Sequence, residues 1–457
     1  MSIPAPRQLR ARLRRARRGH HARSLGDFLT DVYILAWLLV MYGGALVNTA
    51  RQYLHSPSGG RGDPVERYWI AGAALVALAG LAWQALRALG PLLTTPAAQA
   101  WCVSTPVDRR GWLLPRLAAL LLAAACGGAL VGLLVAGLGM RASLAWTALA
   151  GVTMGVAGAA LSVAAQGAPR RRWPRLVGVV VTGLGALAAG VVVAAHFGAY
   201  PLHRPDASLG PALVAAGLPL ALVSTTLSVR VLPRLDRAAL NAGAQLATAA
   251  TTAVIWLDPS LLAGVLEVRR WRRVGRVRSR RFLPIGRLGV LVQAEVRRQG
   301  RHPSALAVWA ALALAQYAVA VAVPAAAGVA HLIGAYLAAN RLTGGLRTLS
   351  RSPGLRRALG GGETELRLVH LVVPAIGAGL WWLVTAPAGA ALAGSVQVLM
   401  VLGVIAAVYR AATRPAMAYG GAVVETPFGL IPVDLLRQLG RGPDVLAVLV
   451  IAQSLLW

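Results

Sequence analysis

The sequence predicts an all-α fold: a polytopic transmembrane helical bundle of about 11 spans (10–12), in two related halves that also carry interfacial helices. Three observations predict it. Of 457 residues, 57% are hydrophobic and 13% charged, whereas a soluble domain carries about 25% charged residues. Apolar runs near the ~20 residues that cross a bilayer recur along the whole chain. The basic residues, all 46 of them arginine because the chain has no lysine, gather in alternate connections between those runs.

The first half is assigned to residues 1–283 and the second to 284–457. A basic leader, 7–27, precedes the first span, 28–50. The leader is long and many spans follow, so the first run reads as an anchor rather than a cleavable signal. Further spans are expected at 69–90, 113–139, 142–166, 176–198 and 209–232. The run "LVGVVVTGLGALAAGVVVAAHFG" shows why: it has no polar stripe, and a surface helix of a soluble bundle needs one. Gly128 with Gly132, and Gly151 with Gly155, are small-xxx-small pairs that let helices approach closely. The stretch 238–257 is long enough to span, but doing so would move the twelve arginines of 269–301 to the other side. It reads as an interfacial or re-entrant helix.

A linker follows. "EVRRWRRVGRVRSRRF", Glu267 to Phe282, holds eight arginines and one acid in sixteen residues. Its flanks are apolar spans and no nucleic-acid-binding fold surrounds it, so nucleic acid is not the expected partner. A cytoplasmic loop held in place by its charge, and touching anionic lipid headgroups, accounts for it. The second half opens with an amphipathic lead-in, 286–303, and spans are expected at 304–322, 324–341, 368–386, 389–408 and 442–457. The segment 411–441 is too broken by Pro and Gly to be one helix.

Threading the chain from an inside N-terminus places 41 arginines inside and 5 outside. Short cytoplasmic loops carry such an excess. The expected location is therefore the cytoplasmic membrane, with the N-terminus in the cytoplasm.

Catalytic chemistry is sparse. A P-loop needs a lysine to reach the terminal phosphates, and none is present. Cys102 and Cys126 make no disulfide or zinc pattern. His331, the histidine placed near mid-membrane, reads as a hydrogen-bonded packing residue. All fifteen acids fall in loops or near helix ends, so no spanning carboxylate marks an ion path. Trp381 and Trp382 are expected towards an outer membrane interface.

Each half shows a lead-in, two spans, then a polar loop: "TTPAAQAWCVSTPVDRRGW" in the first and "SRSPGLRRALGGGETELRL" in the second. In each loop a Ser/Thr-Pro pair precedes an acid by twelve residues, Pro96 to Asp108 and Pro353 to Glu365. This order of elements resembles the ABC-2 type exporter permeases. The stretches "SPGLRRAL", "STPVDRRGW" and "TPFGLIPVDLLRQLGRGPD" also resemble an uncharacterised group of bacterial multi-pass membrane proteins encoded beside ABC ATPases. The second half departs from the ABC-2 pattern in carrying five spans rather than six.

The resemblance implies that the loops 91–112 and 343–366 carry coupling helices touching separate ATPase subunits, two copies being expected. Asp108, Arg109, Arg110, Arg356, Arg357, Glu363 and Glu365 are the candidate transmitting residues. No catalytic, cofactor or metal residue is assigned; ATP and Mg would be used by the partner subunit. Membrane lipids are the other expected partner, and a homodimer stays open. The alternative is a membrane-embedded enzyme or assembly scaffold for lipid-linked substrates, with 411–441 as its best candidate feature.

Overall fold

The computed structural model describes residues 64–92, 108–137, 143–168, 172–203, 208–235, 281–301, 303–389, 393–415, 423–426 and 429–455, with the isolated positions 240 and 268. The predicted first span, 28–50, nearly all of 238–257 and most of the 267–282 linker lie outside the described residues. The described residues are helical apart from short connections and one β-hairpin.

The chain divides into two compact units, 1–188 with 200–275, and 189–199 with 276–457. In the first unit, α1 spans Pro64–Leu89, α2 Arg109–Gly137, α3 Leu144–Gln166, α4 Trp173–His196 and α5 Leu209–Val231, followed by a 3-10 turn at Leu232–Arg234. Helix α3 is the centre, packed between α2 and α5. The glycine pairs explain the α2–α3 contact. A Cβ on Gly128 would lie 2.1 Å from the Gly151 carbonyl oxygen, and one on Gly151 would lie 2.0 Å from that of Gly128. Only hydrogen fits at this crossing, so the predicted packing role holds. Trp83 and Gln84 of α1 hold α4 by donating to the Pro174 and Gly178 carbonyls, at 2.8 and 3.2 Å.

The second unit contains α6 Gly286–Gly300, α7 Pro303–Ala322, α8 Ala327–Arg341, α9 Gly344–Arg351, α10 Pro353–Leu359, α11 Glu363–Thr385, α12 Gly394–Ala412, the strands β1 Val423–Thr426 and β2 Gly429–Pro432, then α13 Val433–Gly440 and α14 Pro443–Leu455. The strands pair antiparallel, Val423 opposite Pro432 and Thr426 opposite Gly429. Pro and Gly break 411–441 as predicted, into a helix end, this hairpin and an eight-residue helix.

Helix α8 is the core of this unit. It packs on α7, α11, α12 and α14. Leu332, Ala335, Ala338 and Ala339 of α8 meet Trp381, Val404, Ala407 and Val408 there. Small residues on several faces let four helices close around it.

Eight helices are long and apolar enough to cross a membrane. They are α1 to α5, α7, α11 and α12 in substance. Two of the predicted spans form shorter helices. Pro324 opens a 3-10 turn, and the α-helix behind it has 15 residues. Helix α14 has 13, a rise of about 20 Å. The long helices turn large apolar side chains outward: Leu122 is 67% exposed, Leu187 65% and Leu383 72%. Their hydroxyls donate to their own helix: Thr153 to the Ala150 carbonyl, Ser162 to that of Ala159 and Ser224 to that of Ala221. A surface that is apolar and internally satisfied is suited to hydrocarbon.

Candidate functional site

The seven predicted coupling residues fall in two groups, each within its own unit. In the first, the loop residues 93–107 lie outside the described residues, and both rims are pinned. Leu92 exchanges two hydrogen bonds with the Gln166 amide at the end of α3, 3.1 and 3.2 Å long. Asp108 is the N-cap of α2: its carboxylate oxygens accept from the backbone N–H groups of Arg110, at 3.0 Å, and Gly111, at 2.8 Å. An N-cap carboxylate satisfies N–H groups that have no partner inside the helix. Arg109 donates to the Leu235 carbonyl at 2.9 Å, and Trp112 is buried with Leu92, Leu113 and Leu235. The Arg110 side chain points away from this core and is exposed.

The second group is fully described. Helices α9 and α10 are two short helices between α8 and α11. Ser352 is the N-cap of α10, its Oγ accepting from the Leu355 N–H at 3.2 Å, and Pro353 occupies the first helical position, where a missing N–H costs nothing. Gly360 and Gly361 then take φ of +68° and +78°, a conformation that favours glycine. Glu365 accepts from the Gly362 N–H at 3.4 Å, so the second acid also lies at the N-terminus of a long helix. The recurring acid of the two loops therefore has a local cause, helix capping, in both places. Glu363 pairs with Arg356 at 3.3 Å and with Arg367 one turn on. Arg356 also donates to the Ser350 carbonyl at 2.8 Å. Arg357 is exposed and, among the described residues, its side chain is bonded to nothing.

The residues that organise this loop come from the lead-in helix, and sequence reasoning missed them. Glu295 is 3% exposed. Its Oε1 accepts from the Gly345 N–H at 3.2 Å, at the N-terminus of α9. Thr343, the residue before α9, makes no side-chain cap, so α6 supplies the cap from outside. Gln299 joins in, donating to Glu295 and, at 2.7 Å, to the Leu342 carbonyl. At the other end Arg287 donates to the Leu359 and Gly360 carbonyls closing α10, and lies 3.9 Å from Glu365. Acid at a helix N-terminus and cation at a C-terminus are both favourable. Positions 287, 295 and 299 lie two turns and one turn apart, hence on one face of α6. The lead-in helix thus splints α9–α10 at both ends. The signal was present as charged and amide residues recurring on one face of an amphipathic helix.

His331 is a buried packing residue, as expected. Its ring faces Trp381 and Trp382 at 5.2 and 4.1 Å, and Nε2 donates to Thr385 Oγ1 at 2.9 Å, whose own hydroxyl donates to the Trp381 carbonyl. Both tryptophans are buried in this cluster, Trp381 completely. They pack protein rather than a membrane surface, because α8 and α12 close over them. Among the described residues, no three metal-ligating side chains converge.

Long apolar helices with self-satisfied hydroxyls, joined by capped polar loops, define a membrane-embedded helical protein. Within that class the chain belongs to DUF6297, a family of unknown function, whose model matches residues 62–422. Neither the curated proteins nor the solved structures contain a detectable match to the chain.

Proposed function

We propose that this protein is the permease subunit of an ABC-type exporter in the cytoplasmic membrane. Separate ATPase subunits, two per complex, energise it, and it moves a hydrophobic or amphipathic substrate. The chain is threaded eleven times from a cytoplasmic N-terminus, with 28–50 as the first crossing and α8 and α14 as the two short ones.

The observation that carries the reading is the splinted pair α9–α10. Transmitting force from a soluble motor needs a rigid surface connected without slack to the moving helices. Helix α10 passes into α11 through three glycines, Gly360 to Gly362. Helix α9 abuts the end of α8, the core of its unit. A push on α10 is therefore delivered to α11 and α8 together. ATP and Mg belong to the motor, because a chain without lysine has no standard P-loop.

The test uses the two candidates whose side chains leave the caps intact. Arg110→Glu and Arg357→Glu replace attraction by repulsion, which at an interface costs several kcal/mol. Each single change should weaken co-purification of the ATPase, and the double change should abolish it while the protein remains inserted. Arg204→Glu, in a connection threaded to the outside, should do neither. Assembly of the double variant at the wild-type level would refute the coupling surface. ATP hydrolysis by the chain freed of every ATPase would refute the division of labour.

A further inference from the structure

A second charged site lies in the same unit, around the phenol of Tyr336. Arg347 and Arg351 approach from α9, Arg414 from the segment after α12, and Arg441 from the turn between α13 and α14. The first and third are fixed in place. Arg347 Nη2 donates to the Asn340 carbonyl and to Asn340 Oδ1, at 3.2 and 2.6 Å. Arg414 donates through Nε and Nη2 to the Arg441 carbonyl, at 3.0 and 2.7 Å. The turn carrying Arg441 presses against the phenol: a Cβ on Gly442 would lie 3.2 Å from Tyr336 Oη.

These positive charges are poorly balanced. Among the described residues, Asp444 is the acid that acts on this cluster. Its carboxylate is already committed to an ion pair with Arg410 and to the N–H groups of Gly442 and Val445, each at 2.8 Å. Arg441 Nε is buried and has no hydrogen-bond partner. Burial lowers the Arg347 guanidinium from its ordinary value, and Arg351, Arg414 and Arg341 lower it further. Burial and Arg351 act the same way on Arg414. Gathering half-buried like charges is unfavourable unless an anion joins them.

We propose that Arg347, Arg351, Arg414 and Arg441 form a binding site for a phosphate group. Guanidinium forks match the oxygens of a phosphate, and a tetrahedral anion accepts from several of them at once. A carbonyl-bound arginine keeps unused N–H groups, so the fixed pair is oriented and still available. The site bridges α9, the end of α12 and the turn before α14. A bound phosphate would lock the α9–α10 splint to the end of the chain. The same chemistry is offered by an anionic phospholipid headgroup and by a soluble phosphate.

Native mass spectrometry of the purified full-length protein separates the sources. One arm adds phosphatidylglycerol or phosphatidylcholine, the other inorganic pyrophosphate. The variants are Arg347→Gln with Arg414→Gln, and Arg351→Gln alone, which changes an exposed side chain and spares the fold. Arg234→Gln, in the other unit, removes the same charge and is the control. A lipid site is shown if the wild type and control retain phosphatidylglycerol about tenfold better than phosphatidylcholine, about 1.4 kcal/mol, and both variants lose that preference. A soluble-phosphate site is shown if pyrophosphate adducts follow the same pattern and the lipid does not. The proposal is overturned if both variants hold both probes as the wild type does, or if the wild type holds neither.

Discussion

Glu295 shows how one side chain decides the geometry of a loop. Its carboxylate does for α9 what an N-cap residue normally does, but from a helix fifty residues earlier in the chain. The space is tight: a Cβ on Gly345 would lie 1.7 Å from Glu295 Oε2. Two substitutions separate the contributions. Glu295→Gln keeps an oxygen for the Gly345 N–H and should lose little stability. Glu295→Ala leaves that N–H and the Gln299 amide short of an acceptor, at about 1–3 kcal/mol. Gly345→Ala should destabilise by at least as much, because both the carboxylate and the helix start must move. Thermal unfolding of the detergent-purified protein measures all three. Wild-type melting of Glu295→Ala would show that α6 does not hold α9. The surface pairs of Glu363 are a contrast. Both partners are substantially exposed, and such pairs contribute about 0–1 kcal/mol.

At the scale of elements, the α2–α3 crossing gives the sharpest expectation. Gly128 and Gly151 face each other's backbone, while Gly127, one residue away, has nothing within 4 Å of its Cβ position. Gly128→Leu and Gly151→Leu should each force the helices apart, with overpacking costs of about 1–3 kcal/mol or more. Gly127→Leu should unfold at the wild-type temperature, or slightly above it as backbone freedom in the unfolded chain falls. Equal effects at 127 and 128 would mean that the helices do not cross there. This crossing was legible in the sequence because small residues four apart have one use in an apolar helix. The long spans were legible from length and hydropathy, and the α10 start from its Ser-Pro pair. The splint was not, because it pairs residues 287 and 295 with 360 and 345. Such pairings are set by tertiary packing and leave no periodicity. The burial of Trp381 was hidden for the same reason: tryptophan near a helix end suits a membrane interface, and only the packing of α8 and α12 reveals that the position is covered. The brevity of α8 follows from Pro324, which disfavours helix at the residue before it.

At the scale of the whole molecule, the distribution of arginine and the helix lengths must agree on one threading. Moving any long helix out of the membrane, or adding 238–257 as a crossing, exchanges the sides of everything beyond it. The split of 41 inside to 5 outside rests mainly on the leader, the linker and the loops 341–367 and 409–441. Both short helices, α8 and α14, must also cross for the last two loops to share a side. Helix α14, at about 20 Å, is shorter than the ~30 Å hydrocarbon core, so it crosses only where the bilayer thins or neighbouring protein covers its ends. The linker is the decisive place to measure, since it lies between the halves and holds eight arginines between 267 and 282. With Cys102 and Cys126 removed, single cysteines at Ser58 and Ser279 report the two sides. An impermeant thiol reagent applied to intact cells should label Ser58→Cys and spare Ser279→Cys, and permeabilising the cells should expose Ser279→Cys to the reagent. Labelling of Ser279→Cys in intact cells would place the linker outside. The stretch 238–257 would then be a crossing, and the α9–α10 surface could no longer meet a cytoplasmic motor.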